Sequence, residues 1–423
     1  MRRFFSSASR QFFQEIIMPQ ASGVFKQVAI KEETSYGVLP TVVTGAQLLR
    51  RVDAAFNLSK DTYESTEIRA DLQTADMRHG VRRVAGTING ELSPGSYAPY
   101  LAAVVKREFA AVTSIVSASI TVAGTAPTYT VTRAAGSFLT DGIKVGQVVR
   151  LSAGSFNASN LNKNLFVTGV TALALTVLVL NGSALVAEGP IASATVSVPG
   201  KTTFIPLSGH TDKSFSIEEW YADISRSETF AGCKFSKASI GLPPTGMSTI
   251  GLDVVGKDHG QTPGSSRYFT SPTAASSSGV FASVNGVLRV GGQTLASVTG
   301  LNFDIEAMFS GDPVVGANTV PTQFAGRVKV SGQFTAYFED GVLPAAFFGE
   351  TELGLQVALT TTGDAAADFI SFSMSRVKLG GADKADGEGG VVRTFPFTAL
   401  LNSAGGAGTA NEASTIAIQD SLA

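Results

Sequence analysis

Leu301-Asn302-Phe303-Asp304-Ile305-Glu306-Ala307-Met308-Phe309 alternates apolar and polar side chains. Successive side chains of an extended strand point to opposite sides of a sheet. Phe303, Ile305 and Phe309 therefore share one face, and Asp304 and Glu306 share the other. The pattern is a strand with one buried and one wetted face. Ser119–Val122, Thr128–Val131, Val145–Leu151 and Phe166–Val170 read as further strands, with Gly, Asn and Asp at short, irregular intervals between them. This spacing predicts a mainly β protein built from antiparallel strands rather than βαβ units.

One helix stands out. Ser93-Pro94 opens it, and Tyr97, Tyr100, Leu101, Val104, Val105, Phe109 and Val112 recur at helical spacing, with Lys106, Arg107 and Glu108 on the opposite face. A shorter helical turn follows Gly341 (VLPAAFF). The approaches to the two match: VAGTINGELSPGSY from Val84 and VSGQFTAYFEDGVLPAAFF from Val330 both run strand, Gly, strand, polar turn, apolar helix. This is a loose internal repeat. Between the two copies, residues 116–200 hold only four basic and two acidic residues and are dominated by Ala, Val, Thr, Leu, Ser and Gly. They read as a small inserted β-domain. The expected organisation is an atypical segment 1–17, a first core part 18–115, the insert 116–200, a second core part 201–401 and a flexible C-terminal arm 402–423, rich in Ala, Gly and Ser.

Residues 1–17, MRRFFSSASRQFFQEII, are Arg- and Ser-rich and poor in acid, as a transit peptide is. They also suit a docking arm, or sequence upstream of a start at Met18, and MPQASGVFKQVAIKEETSYG reads as a natural opening. Asn164 to Ala187 run 24 residues without a charge, long enough for a spanning helix. Interleaved Thr168, Thr171 and Thr176 and the turn signal Asn181-Gly182 make this stretch strands instead. No membrane span is expected.

The 423 residues include three His, one Cys and 16% charged residues, with a net charge of −2. That balance excludes a binder held wholesale by phosphate contacts. A lone Cys233 excludes an intramolecular disulfide frame and a cysteine zinc site. His79, His210 and His259 are scattered, and no nucleophile, Walker or zincin motif is present. No enzyme activity and no cofactor are expected. The run Gly380–Gly390, GGADKADGEGG, offers Asp383, Asp386 and Glu388 as part of a calcium loop but lacks the alternating ligand set, which favours a solvated turn.

Two surface features carry a functional reading. Glu219, Tyr221 and Asp223 share a strand face, as do Asp304 and Glu306. Such faces are ordinarily solvated; the functional alternative is an acidic wall lining a channel, past which a polyanion slides. Residues 201–423 carry 21 acidic against 14 basic residues. Second, Asn57–Arg83 (NLSKDTYESTEIRADLQTADMRHGVRR) reads as a long mixed-charge loop. Loops of that length are usually functional, and Asp61, Glu64, Glu67, Arg69, Asp71 and Arg78 in it suit docking on an identical subunit.

These segments in order resemble a known family. GVFKQVAIKEETSYGVLPT (Gly23–Thr41), Leu58–Leu101, FSIEEWYADI (Phe215–Ile224) and VKLGGADKADGEGGVVRTFPFTALLN (Val377–Asn402) are similar to the major tail tube protein of long-tailed, siphovirus-like bacteriophages, in its two-lobed branch. The resemblance implies an antiparallel β-sandwich or barrel-like core with a flanking helix. It implies rings that stack into a tube through which DNA passes without sequence-specific binding. The partners it implies are further copies of the chain, stacked rings, and the tail terminator, tape measure and distal tail proteins. The setting is the virion tail, assembled in the bacterial cytoplasm. A hexameric ring is the first expectation and a trimer of two-lobed chains the alternative. The insert would project outward, and a surface- or carbohydrate-binding β-protein of virion or envelope is the competing function.

Overall fold

The computed structural model describes residues 20–262, 266–295, 297–339, 341–385 and 389–423. Segment 1–17, Met18, Asp386 and Glu388 lie outside them. The protein is mainly β. It opens with β1 (Lys26–Glu32), β2 (Gln47–Leu48), β3 (Asp53–Glu64), β4 (Met77–Glu91) and α1 (Ala98–Val105). Six strands then close a barrel: β5 (Ile115–Thr125), β6 (Thr128–Arg133), β7 (Val148–Ala153), β8 (Leu165–Val170), β9 (Ala174–Val179) and β10 (Glu188–Ser197). The chain returns through β11 (Lys201–Phe204), β12 (Phe215–Tyr221), β13 (Arg226–Leu242), β14 (Thr249–Gly256) and β15 (Asp258–Thr262). Next come β16 (Gly286–Val290), β17 (Gln293–Thr294), β18 (Val298–Ser310), β19 (Phe324–Tyr337) and α2 (Val342–Phe348). It ends with β20 (Leu353–Thr360), β21 (Phe369–Leu379), β22 (Asp383–Lys384), β23 (Val392–Ala399) and β24 (Ala417–Asp420).

The pairing order shows two copies of one unit. The first copy runs β2–β1–β12–β13–β14–β4–β3, with β15 along the outer half of β13. The second runs β17–β16–β20–β21–β23–β19–β18, with β24 along β21. The helix follows the same strand in each, α1 after β4 and α2 after β19. Even an irregularity repeats: the β12–β13 register slips between Phe215 and Ile217, and the β20–β21 register slips between Leu353 and Leu355. Phe56 faces Gly86 in one copy and Phe303 faces Gly332 in the other. A Cβ on either glycine would run into that Phe, so a bulky residue opposite a bare backbone is built into both.

The long strand β13 bends across the molecule. Its first half pairs with β12 and β15, and its second half with β14 and β18. The β13–β18 joint fuses the copies into one sheet of order β3–β4–β14–β13–β18–β19–β23. A shared core lies behind it and includes Ile88, Phe235, Ile305, Phe334, Val357 and Phe372. The β5–β10 barrel has its own apolar filling, with Val131, Phe138, Leu151, Val167 and Val177 inside. It rests on the second copy through Val148, Phe166, Ala358 and Phe369. The Gln419 amide also donates to the Val148 carbonyl at 3.0 Å and accepts from the Val148 N–H at 2.7 Å.

Three expectations are corrected. Asn57–Arg83 is not a long loop: β3 and β4 continue through it as a two-stranded arm, with only residues 65–76 as the turn. Its alternation is invisible because Val81 alone of these residues is buried, and both faces otherwise meet solvent. The helix stops at Lys106, which takes a left-handed conformation (φ 63°). Seven of its eight residues are buried, so there is no wet face, and Lys106 itself is buried against Asp212 at 3.0 Å. The C-terminal segment is no flexible arm. Ile416 and Ile418 enter the core, β24 pairs with β11 and β21, and buried Asp420 accepts the Gly95 N–H at 2.9 Å.

Candidate ring and lumen surfaces

The fused sheet turns one face to the core and the other outward. Its outward face is made of cross-strand rows. One row reads Thr87, Asp253, Lys237, Glu306, Lys329 across β4, β14, β13, β18 and β19. Charges of opposite sign stand side by side in it. The next row reads Asn89, Gly251, Ser239, Asp304, Ser331, Thr398. Lys237 donates to Asp304 at 3.0 Å, and that hydrogen bond raises the lysine pKa.

Asp304 and Glu306 therefore sit on an outward face, partly exposed, as alternation requires. They do not form an unrelieved acidic wall, because Lys237 and Lys329 alternate with them. Glu219 is a correction. It lies on the other sheet, is 2% exposed, and takes a 2.7 Å ion pair from Lys26 and a 3.0 Å hydrogen bond from Tyr221. Ile217 and Glu219 share a face, and Ile217 is core, so Glu219 points between the sheets. Asp223 falls in the turn after β12, where it accepts the Ser22 and Ile224 N–H groups. The four candidates are not brought together.

In the β3–β4 arm, Asp61 pairs with Arg83 at 2.9 Å, Arg69 with Asp71 at 2.6 Å and Arg78 with Asp76 at 2.6 Å. Glu64 and Glu67 make no ion pair among the described residues. Exposed ion pairs of this kind contribute little stability on their own. At the tip, Ile68 and Leu72 stand almost fully in solvent.

Several features escaped the sequence reading. The β18–β19 hairpin forms a second arm. Its loop is braced by the Arg82 N–H donating to the Asn318 carbonyl at 2.7 Å, and the Arg82 side chain is itself paired with Asp258 of β15 at 3.0 Å. Its Pro, Gly and Val content gave a turn signal but no hint of a partner. Glu33 and Glu218 are buried carboxylates held by N–H and hydroxyl donors: Gly37, Ser214, Ser216 and Gly232 serve Glu33, while Ser227, Tyr268 and Phe269 serve Glu218. They fasten the connecting segments of the first copy. No group of three or more metal-ligating side chains gathers among the described residues. No helix among them is long and apolar enough to cross a membrane.

The fused sheet leaves the outer edge of β3 without a partner strand among the described residues. A family model described as phage tail tube protein matches residues 26–399. The chain belongs to that family. No curated protein matches it. The match spans both copies and the barrel between them, so this tail tube protein is a structural component of the virion tail that self-assembles with other tail components. The expected family resemblance and the mainly β fold both hold.

Proposed function

We propose that three copies of this tail tube protein close a ring of six repeats, and that such rings stack to enclose the DNA channel. One observation carries the reading. Every strand pairing of the first copy has a counterpart in the second except the β13–β18 joint. Its counterpart would join the second copy to a first copy, and no such joint is made among the described residues. The free edge of β3 is what β18 offers at the joint, and residues 381–385 are the counterpart of the joining half of β13. A contact between different patches on identical subunits closes into a ring when the rotation closes, and it pairs an edge that would otherwise invite aggregation.

The register follows from the copy already visible. Ser239 faces Asp304 and Gly241 faces Asn302; the equivalent pairs are Asp383 with Asn57, and Ala385 with Ala55. Six such joints continue the fused sheet around the ring. Its outward rows of Ser, Thr, Asn and alternating charges would then face the lumen, where they offer phosphate no cluster of cations to hold. The barrel rests on the opposite sheet of the second copy, which supports a position outside the wall. Six chains per ring, the first expectation, would place twelve repeats around the channel; three give the six-fold count the family resemblance implies. The barrel interior is filled by its own side chains, so a ligand site inside it is not favoured. Native mass measurement of isolated rings tests the reading: three times the 43.7 kDa chain mass is expected, and a six-chain ring or an unassembled monomer overturns it.

A further inference from the structure

The two helices end alike but in different surroundings. Lys106 after α1 and Glu350 after α2 both take a left-handed conformation, at φ 63° and 50°. In each, the following N–H returns to a helix carbonyl five residues back: Arg107 to Ala102 at 3.1 Å, and Thr351 to Ala346 at 2.9 Å. Val104 and Phe348 are therefore equivalent positions. Val104 is fully buried, whereas Phe348 is 77% exposed. Each helix packs on the equivalent strand, α1 on β13 and α2 on β21, but α1 is also covered by β18. Strand β18 belongs to the joint inside the chain, so the cover over α1 is a product of that joint.

An ion pair beside the helix is repeated too. Cys233 faces Phe215 and Val377 faces Leu353, which makes Lys234 and Lys378 equivalent. Each pairs with the acid three residues before the facing strand, Lys234 with Asp212 and Lys378 with Glu350 at 3.7 Å. The Lys234 side chain is 4% exposed and that of Lys378 is 45% exposed. The root of the β18–β19 hairpin helps to bury Lys234. Its ammonium donates to the Gln323 carbonyl at 2.9 Å and lies 5.3 Å from the centre of the Phe309 ring. The Phe309–Ala325 and Thr62–His79 pairs each follow a register slip at the same place. Phe309 thus corresponds to Thr62, and Gln323 to Met77. Thr62 and Met77 are exposed.

We infer that the end of α2 is a docking surface for the neighbouring chain of the same ring. The root of that chain's β3–β4 hairpin closes over Phe348 and the Lys378–Glu350 pair, and the Lys378 ammonium donates to the Met77 carbonyl. The occupant is a second copy of this chain, because the first copy already shows the filled arrangement. The inference rests on the ring reading and names the residues that hold the joint shut. Bulk changes sides across the joint: inside the chain a large Phe309 accompanies a small Val104, and between chains a small Thr62 accompanies a large Phe348. Close packing requires that kind of exchange. Charge is rebalanced as well. Inside the chain, Lys106 and Lys234 share Asp212. Between chains, Glu350 stands where Lys106 does, so Lys378 has a carboxylate to itself. An exposed pair is worth little, but breaking a buried one is costly. The pair therefore acts at ring closure rather than in folding.

The test uses the full chain, with lysine acylation read by mass spectrometry. In unassembled chains Lys378 should react while Lys106 and Lys234 stay protected. In rings Lys378 should react at least about 10-fold more slowly. Phe348→Asp should leave the melting temperature of the unassembled chain unchanged and raise the concentration needed for ring formation about 100-fold, from the loss of buried aromatic area. Lys378→Met, which strands Glu350, should raise it by a similar factor, and adding Glu350→Gln should bring it back to within about 10-fold of the parent. Rings in which Lys378 reacts as fast as in unassembled chains, or Phe348→Asp rings that form at the parent concentration, overturn the inference and leave the three-chain ring standing. Protein that makes no rings at all overturns both.

Discussion

The two copies share every pairing but not their chemistry. Where the first holds Lys26 and Glu219 between its sheets, the second has Gly286 and Val357 at the equivalent places. The first joins β1 to β2 through residues 33–46; the second joins β16 to β17 through Gly291-Gly292 alone. Glu218, buried under the segment around Tyr268, corresponds to Gln356. Backbone topology was kept while interior polarity and loop length drifted apart. The drift is concentrated between the sheets and in the segments that connect the strands. A duplicated chain can thus present one repeating wall and still make two kinds of contact.

The largest effect on that comparison comes from the residue pair it conserves most closely. Phe303→Ala should destabilise the unassembled chain by about 4 kcal/mol, since the cavity sits in the middle of the fused core. Phe56→Ala, at a slightly exposed outer edge, should cost measurably less; denaturant unfolding of both variants shows whether the copies bear load unequally. Next is the polarity swap. Glu219→Val leaves Lys26 buried without its carboxylate and should cost about 3 kcal/mol. Adding Lys26→Met should bring stability back to within about 1 kcal/mol of the parent, because the second copy already lives with an apolar interior there.

A smaller effect concerns Asp420, the carboxyl that ties the C-terminus to the loop before α1. Burial lifts its pKa to about 6, above the usual value near 3.9. The folded state therefore holds a proton the unfolded state releases between about pH 4 and 6. Stability from this group is present below pH 4 and is lost as pH rises through 6, by just under about 3 kcal/mol. Asp420→Asn should remove that slope, which melting temperatures from pH 4 to 8 would reveal. The smallest effect is in the first arm: Arg83→Ala should change monomer stability by less than about 1 kcal/mol.

What could be read in the sequence follows where one face is dry. Leu301–Phe309 alternates because Phe303 and Ile305 enter the core, and the face of Asp304 and Glu306 was legible for that reason. Lys237 and Lys329 were not, since cross-strand neighbours are far apart in sequence. The β3–β4 arm buries only Val81 between Asn57 and Arg83 and so looked like a loop. Glu219 alternates correctly but on the inner side, and alternation alone does not say which side is inner. The duplication was visible only as the Val84 and Val330 match, because topology survives substitutions that erase sequence likeness. In the C-terminal segment two isoleucines among Gly, Ala and Ser were enough to anchor a strand.

The central claim is that the joint inside the chain is repeated between chains. Asn57→Cys with Asp383→Cys tests it directly, with Ser239→Cys and Asp304→Cys as the equivalent pair inside one chain. On oxidation of assembled protein, the internal pair should close within the monomer. The other pair should link three chains into a covalent ring on a denaturing gel. Assembled tubes in which Asn57→Cys and Asp383→Cys yield only monomers, or a ladder running to six chains, would contradict the account.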